Sequence, residues 1–218
     1  MRRKDPMAPV KNNCNITIGF STTRLLSSRI IRWATRSSCS HAFIAFDDRS
    51  LNMRMVMQAE SWGFELRPWD RWIRHNTLVA EFRPAGPSLE GALKVIARRL
   101  GTKFDYRSAF IIGLKSLVQS WSRNRYTLNL NHSPWKLTCS EAVVRFLKHG
   151  GYAAVKKSDP ETMSPGELLK AVLTDRSQFK ANYLKIRYLA FDRTLQLDAA
   201  SFKKSVFVFR KKRPVGAR

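Results

Sequence analysis

One change of hydrophobic period divides this sequence. Up to Arg83 the apolar residues fall in short stretches with strand-like spacing, over Asn15–Phe20, Ser40–Phe46, Met53–Glu60 and Thr77–Arg83, with Gly63–Leu66 extending the set. Asp47-Asp48-Arg49-Ser50 reads as a turn. From Ser88 the spacing becomes helical. Leu89, Ala92, Leu93, Ile96, Ala97 and Leu100 share one side, and Gly101 ends the run. Further helices are expected over Tyr106–Trp121 and Thr138–His149. Another begins at Ser164, where Ser, Pro165 and Glu167 supply a cap, a first-turn proline and a reciprocal cap. Two shorter helical stretches interrupt the strand-rich half. One is Thr22–Thr35, with Leu25, Leu26, Ile30, Ile31 and Trp33; the other is the Trp-rich turn Pro68–His75. Ser122–Lys136 reads as a loop, and Tyr183–Phe191 and Ser205–Phe209 as late strands. The pattern specifies an α+β fold.

With 44% hydrophobic residues in 218, the chain can bury a substantial core, which excludes wholesale disorder. The simplest organisation is a basic arm over 1–14, one domain over 15–209 and a basic tail over 210–218. No apolar run approaches the ~20 residues of a membrane helix. The N-terminal stretch lacks the apolar segment of a signal peptide, so a cytoplasmic or virion-associated protein is expected. Lys and Arg number 40 against 16 Asp and Glu, a net charge of +24. Such an excess attracts polyanions: nucleic acid, an anionic membrane surface or bacterial wall polymers. Three cysteines, Cys14, Cys39 and Cys139, do not make a disulfide framework. No metal-site spacing and no Gly-rich phosphate loop appears, so neither metal nor cofactor is expected.

The chemically informative stretch is Leu137-Thr138-Cys139-Ser140-Glu141. Thr138 and Glu141 have capping-box spacing, which puts Cys139 at the first helical position. There the helix dipole favours negative charge and lowers a thiol pKa. Structurally, a lone cysteine near a helix start is more often a small buried residue. A nucleophilic thiol needs a base. His149 lies ten residues along the same helix, about 15 Å away at 1.5 Å per residue, and cannot reach. His132 falls in a loop and His75 in a surface turn. His41 leads an apolar strand, where a polar ring needs a hydrogen-bond partner. On the following strand Gln58 and Glu60 share one face, and either can orient the imidazole.

Taken in order, Ser40-His41-x-x-Ile44, Val56-Met57-Gln58-Ala59 with Gly63-Phe64, Phe104-Asp105-Tyr106 and Thr138-Cys139-Ser140-Glu141 resemble the circularly permuted papain-fold hydrolases. These are the YiiX-like and lecithin:retinol acyltransferase-like branch of the NlpC-type superfamily, in which histidine precedes cysteine. The resemblance spans about Ile16 to Gly151. It implies a permuted papain-like fold, a small antiparallel sheet packed on helices, with Cys139 as nucleophile and His41 as base. The third polar residue lands on Gln58, with Glu60 as fallback; glutamine stands where the family often has Glu or His. Asp105-Tyr106 corresponds to a structural stretch. The implied activity is a thiol hydrolase or acyltransferase acting on an amide or ester, with precedent in wall peptides, isopeptides and lipid acyl groups, and compatible with a phage-encoded protein.

The rival reading is a catalytically silent nucleic-acid-binding or virion-assembly protein on the same fold. It rests on the basic tails and on Trp62, Trp69, Trp72, Trp121 and Trp135 as stacking groups.

Overall fold

A computed structural model describes residues 15–85, 89–111 and 136–185. The element order is β1 (Thr17–Thr22), α1 (Leu26–Ala34), β2 (His41–Asp48), β3 (Met53–Glu60), β4 (Gly63–Pro68), α2 (Trp69–His75), β5 (Thr77–Pro84), α3 (Leu89–Ala97) and β6 (Lys103–Phe104). A helix over 106–111 (α4) follows. Then come β7 (Lys136–Leu137), α5 (Cys139–His149), a single 3-10 turn at Ala153–Val155, α6 (Pro165–Thr174) and β8 (Phe179–Leu184). The fold is α+β. Six strands form one antiparallel sheet in the order β4-β3-β2-β1-β5-β8.

Alternation along β2 splits its side chains between two cores. Ala42, Ile44 and Phe46 face the larger one, with Val143, Phe146 and Leu147 of α5 and Leu168 and Val172 of α6. Phe43 and Ala45 face the smaller one, closed by Trp72 of α2, with Val56 from β3. Gly19 of β1 gives Phe43 its room, since a Cβ there would collide with the Cζ edge of the phenyl ring.

Helix α5 is held at its N-terminus from outside as well as by its own cap. The short strand β7 pairs in parallel with β6. β6 is in turn tied to β4, because Phe64 N–H donates to Thr102 O at 2.8 Å and Gly101 N–H donates to Phe64 O at 2.8 Å. Gly63 makes this approach possible: its φ is +127°, and a Cβ would stand 2.6 Å from Thr102 O. Asp105 closes the corner. Its N–H donates to Leu137 O, and its carboxylate caps α4 by accepting from the N–H and hydroxyl of Ser108.

Several sequence expectations shift. Asp47 and Asp48 belong to β2, and the turn falls one step later, with Asp48 Oδ1 accepting from Ser50 and Leu51 N–H. The stretch expected to be helical from Thr22 starts only at Leu26, because Thr22 still pairs with Thr77 in the sheet. Lys136 is strand rather than loop. The late strand begins at Phe179, earlier than the expected Tyr183, because it pairs with β5 from Pro84 back to Ala80, and it runs to Leu184; residues 186–191 of that expectation lie outside the described residues. The arm 1–14, the tail 210–218, the strand expected at Ser205–Phe209 and His132 lie outside the described residues.

Candidate active site

Thr138 is the N-cap of α5, with extended backbone. Glu141 N–H donates to Thr138 Oγ1 and Thr138 N–H donates to Glu141 Oε2, each at 3.3 Å. Glu141 is fully buried and is held by Arg145 Nε at 2.8 Å. This doubly fixed turn sets Cys139 as the first residue of the helix. Cys139 is buried, with 8% of the residue exposed.

His41 is the first residue of β2 and Glu60 the last of the antiparallel neighbour β3, so both stand at one end of the sheet. His41 and Gln58 have the parity of Phe43 and Val56, on the α2 side, whereas α5 covers the opposite side. At this end the two sides meet. The imidazole is hydrogen-bonded to the Cys139 thiol, whose sulfur also accepts from the backbone N–H of Ala42 and Ser140.

Gln58 is wholly buried and fully committed. Its Oε1 accepts from the indole Nε1–H of Trp72 at 2.7 Å and lies 3.0 Å from His41 Nε2; its Nε2 donates to Glu65 Oε1 at 3.1 Å. An indole N–H can only donate and a carboxylate can only accept, so these two partners fix which end of the amide is oxygen. His41 Nε2 must therefore carry the proton. In the neutral ring the free lone pair is on Nδ1, the nitrogen left for the thiol.

The electrostatics follow from this contact. Burial acts to raise the Cys139 pKa, but the imidazolium charge, its hydrogen bond and the two backbone amides outweigh it, and the thiol falls below its ordinary value. Burial acts to lower the His41 pKa. The thiolate and its hydrogen bond, the charge of Glu60 and the Gln58 contact outweigh that, and His41 rises.

Glu60 acts on His41 only through its charge. Its carboxylate stands 4.0 Å from Arg67, and the hydrogen bond to the imidazole comes from Gln58 instead. His75 and His149 are exposed at the ends of α2 and α5, away from the thiol. Cys39 is buried beside the Ser37 hydroxyl. Tyr106 is exposed and donates to Ser61 O at 2.8 Å. Among the described residues, no three or more His, Cys, Asp or Glu side chains gather as for a metal ion. Sequence reading missed Trp72 as a partner of Gln58. Its only signal is a helical spacing that puts one tryptophan of the Trp-rich turn inward. Trp72 is completely buried and so unavailable to a base; half-buried Trp69 packs tilted against it at 5.1 Å, with the Arg54 guanidinium 4.1 Å over its ring; Trp121 and Trp135 lie outside the described residues.

No protein-family model matches the chain. No curated protein matches it either. A solved structure similar to it is that of the metalloprotein yiiX from Escherichia coli O157:H7. The two share 16% identity over 79% of this chain and 97% of that one, with a TM-score of 0.43.

Proposed function

We propose that the chain is a cysteine-dependent hydrolase or acyltransferase, with Cys139 as nucleophile, His41 as general base and acid, and Gln58 as the residue that orients His41. The observation that supports this most is the fixed tautomer: the Gln58 oxygen holds the proton on Nε2, leaving Nδ1 unprotonated toward the thiol.

The steps follow from that arrangement. The thiol proton passes to Nδ1, giving thiolate and imidazolium. The thiolate attacks an amide or ester carbonyl, forming a C–S bond while the carbonyl π electrons move to oxygen. Backbone N–H groups at the start of α5, that of Cys139 included, receive this oxyanion, aided by the helix dipole. Collapse expels the amine or alcohol, which takes the proton from His41. Water or another nucleophile, deprotonated by His41, then attacks the thioester and frees the thiol. Gln58 brings no charge to this exchange. The counter-charge nearest in role is Glu60, which favours the imidazolium from a distance. The net charge of +24 suits a substrate in anionic surroundings, such as wall polymer or membrane.

The test is a chromogenic ester such as a p-nitrophenyl acylate. A stoichiometric burst of nitrophenolate, with the acyl mass found on the peptide containing Cys139 and absent from Cys139→Ala, is expected. Turnover that persists in Cys139→Ala, or acylation elsewhere, would overturn the assignment.

A further inference from the structure

Helix α1 is inverted relative to an ordinary surface helix. It turns a hydroxyl inward: Ser28 is buried and bonds the Thr22 and Ser40 hydroxyls at 2.9 and 2.6 Å, and accepts from Thr23 N–H at 3.1 Å. Ala34 is its one other buried residue and Ile31 is half-buried, while its remaining large apolar residues point out. Leu26, Ile30 and Trp33 are 69%, 54% and 70% exposed. At about 100° per residue they lie roughly 140–200° around the axis from Ser28, directly opposite the anchor. Leu25, just before the helix, is exposed as well.

The charge around this stripe is of one sign. Arg24, Arg29, Arg32 and Arg36 belong to the segment 23–46, which contains no Asp or Glu. Both ends of α1 are tied to the end of the sheet that carries the candidate active site. β1 leaves that end at Thr22, and the chain returns to it through Ser40 and His41, which pairs with Ser21. The turn between β3 and β4 opens at the same end, since Glu60 pairs with Gly63, and its tip exposes 87% of Trp62.

We propose that α1, with Trp62 at the β3–β4 tip, docks this end of the molecule onto an anionic lipid bilayer. Aliphatic and indole groups gain from entering the boundary between headgroups and acyl chains, and flanking arginines gain from lipid phosphates at that depth. Neither rival occupant matches both features. A second copy, meeting this face about a two-fold axis, would set the arginine cluster against itself. Nucleic acid would take the arginines and the indoles but leave Leu26 and Ile30 with no favourable partner. The docking does not depend on the thiol chemistry proposed above.

The experiment is co-sedimentation of the full chain with phosphatidylcholine vesicles, with and without phosphatidylserine, at low and high salt. Wild type is expected to bind the anionic vesicles, to retain part of that binding at high salt, and to show a blue-shifted tryptophan emission when bound. Leu26→Ser/Ile30→Ser/Trp33→Ser should bind about tenfold or more weakly and lose the salt-resistant part. Circular dichroism and the alkylation rate of Cys139 in this variant should match wild type, which separates failure of docking from failure of the thiol reading. Equal vesicle binding by variant and wild type would overturn the proposal, as would binding abolished by salt alone, the signature of the basic tails. Loss of self-association, or of DNA binding, in the variant with vesicle binding unchanged would hand the face to a second copy or to nucleic acid.

Discussion

His41 Nε2 lies 3.0 Å from Gln58 Oε1, and that oxygen also accepts the Trp72 indole N–H at 2.7 Å. A neutral amide thus fixes the imidazole tautomer without adding charge beside it. What favours the imidazolium is the thiolate itself, helped by Glu60.

The pH dependence follows from the two displaced groups. The thiol is lowered and His41 raised, and each shift extends the pH range over which thiolate and imidazolium coexist. Iodoacetamide should alkylate Cys139 well below pH ~8.5, the ordinary thiol value. In His41→Ala, burial is no longer opposed by the imidazolium, and the acid limb should move up by a pH unit or more, about one unit per 1.4 kcal/mol of lost interaction. An unshifted limb would remove His41 as the partner.

Folding stability should carry the same signature. The lowered thiol contributes stability that is lost as pH falls through its folded pKa; the raised imidazole contributes stability that is lost as pH rises through its own. Relative to Cys139→Ala, the pair's contribution should be greatest between about pH 6.5 and 8.5, the unfolded values, and decline on both sides. Urea denaturation of both proteins across pH measures the difference; a monotonic slope through that window would contradict the pair.

Gln58→Ala should lower kcat by about 10²-fold or less, the cost of a misplaced base, whereas Cys139→Ala should abolish acylation. Glu60→Ala should leave the pH-independent kcat near wild type and shift the alkaline limb downward, because Glu60 acts on His41 through charge alone. A larger effect from Glu60→Ala than from Gln58→Ala would move the orienting role to Glu60.

Trp72→Phe keeps most of the packing against Phe43, whose ring centre is 4.4 Å away, but deletes the indole donor. The Gln58 amide then keeps Glu65 on its nitrogen and His41 on its oxygen but loses the indole that steadies that oxygen. Activity should fall and its pH profile change shape, while stability drops by about 1 kcal/mol, the net contribution of one hydrogen bond, since the Gln58 oxygen keeps His41 as a partner. An unaltered profile would make Trp72 a packing residue only.

Thr138→Ala removes the side-chain cap of α5 and should cost about 1 kcal/mol. Because that cap sets the first turn, the alkylation limb of Cys139 should also shift upward; Thr138→Ser should restore both. Failure of serine to restore the limb would separate the cap from the thiol.

Much of this was legible in the sequence because it is local. The Thr138–Glu141 spacing specifies a capping box, and a capping box fixes where Cys139 sits on its helix. Ser164, Pro165 and Glu167 do the same for α6. Alternation along Met53–Glu60 put Gln58 and Glu60 on one strand face, as observed. A period of two treats them alike, and only the family resemblance favoured Gln58; in the structure it is Gln58 that lies 3.0 Å from His41 Nε2, its amide held by Trp72 of α2 and Glu65 of β4. Nor could periodicity place His41 against Cys139, because His41 has the parity of the α2 side of β2 while α5 packs on the other side, and the two meet only at the end of the sheet. Helix α1 shows the limit most plainly. Its apolar spacing announced a helix, but which side faces the protein depended on Thr22, Thr23 and Ser40 converging on Ser28, a contact set by strand pairing rather than by helical period.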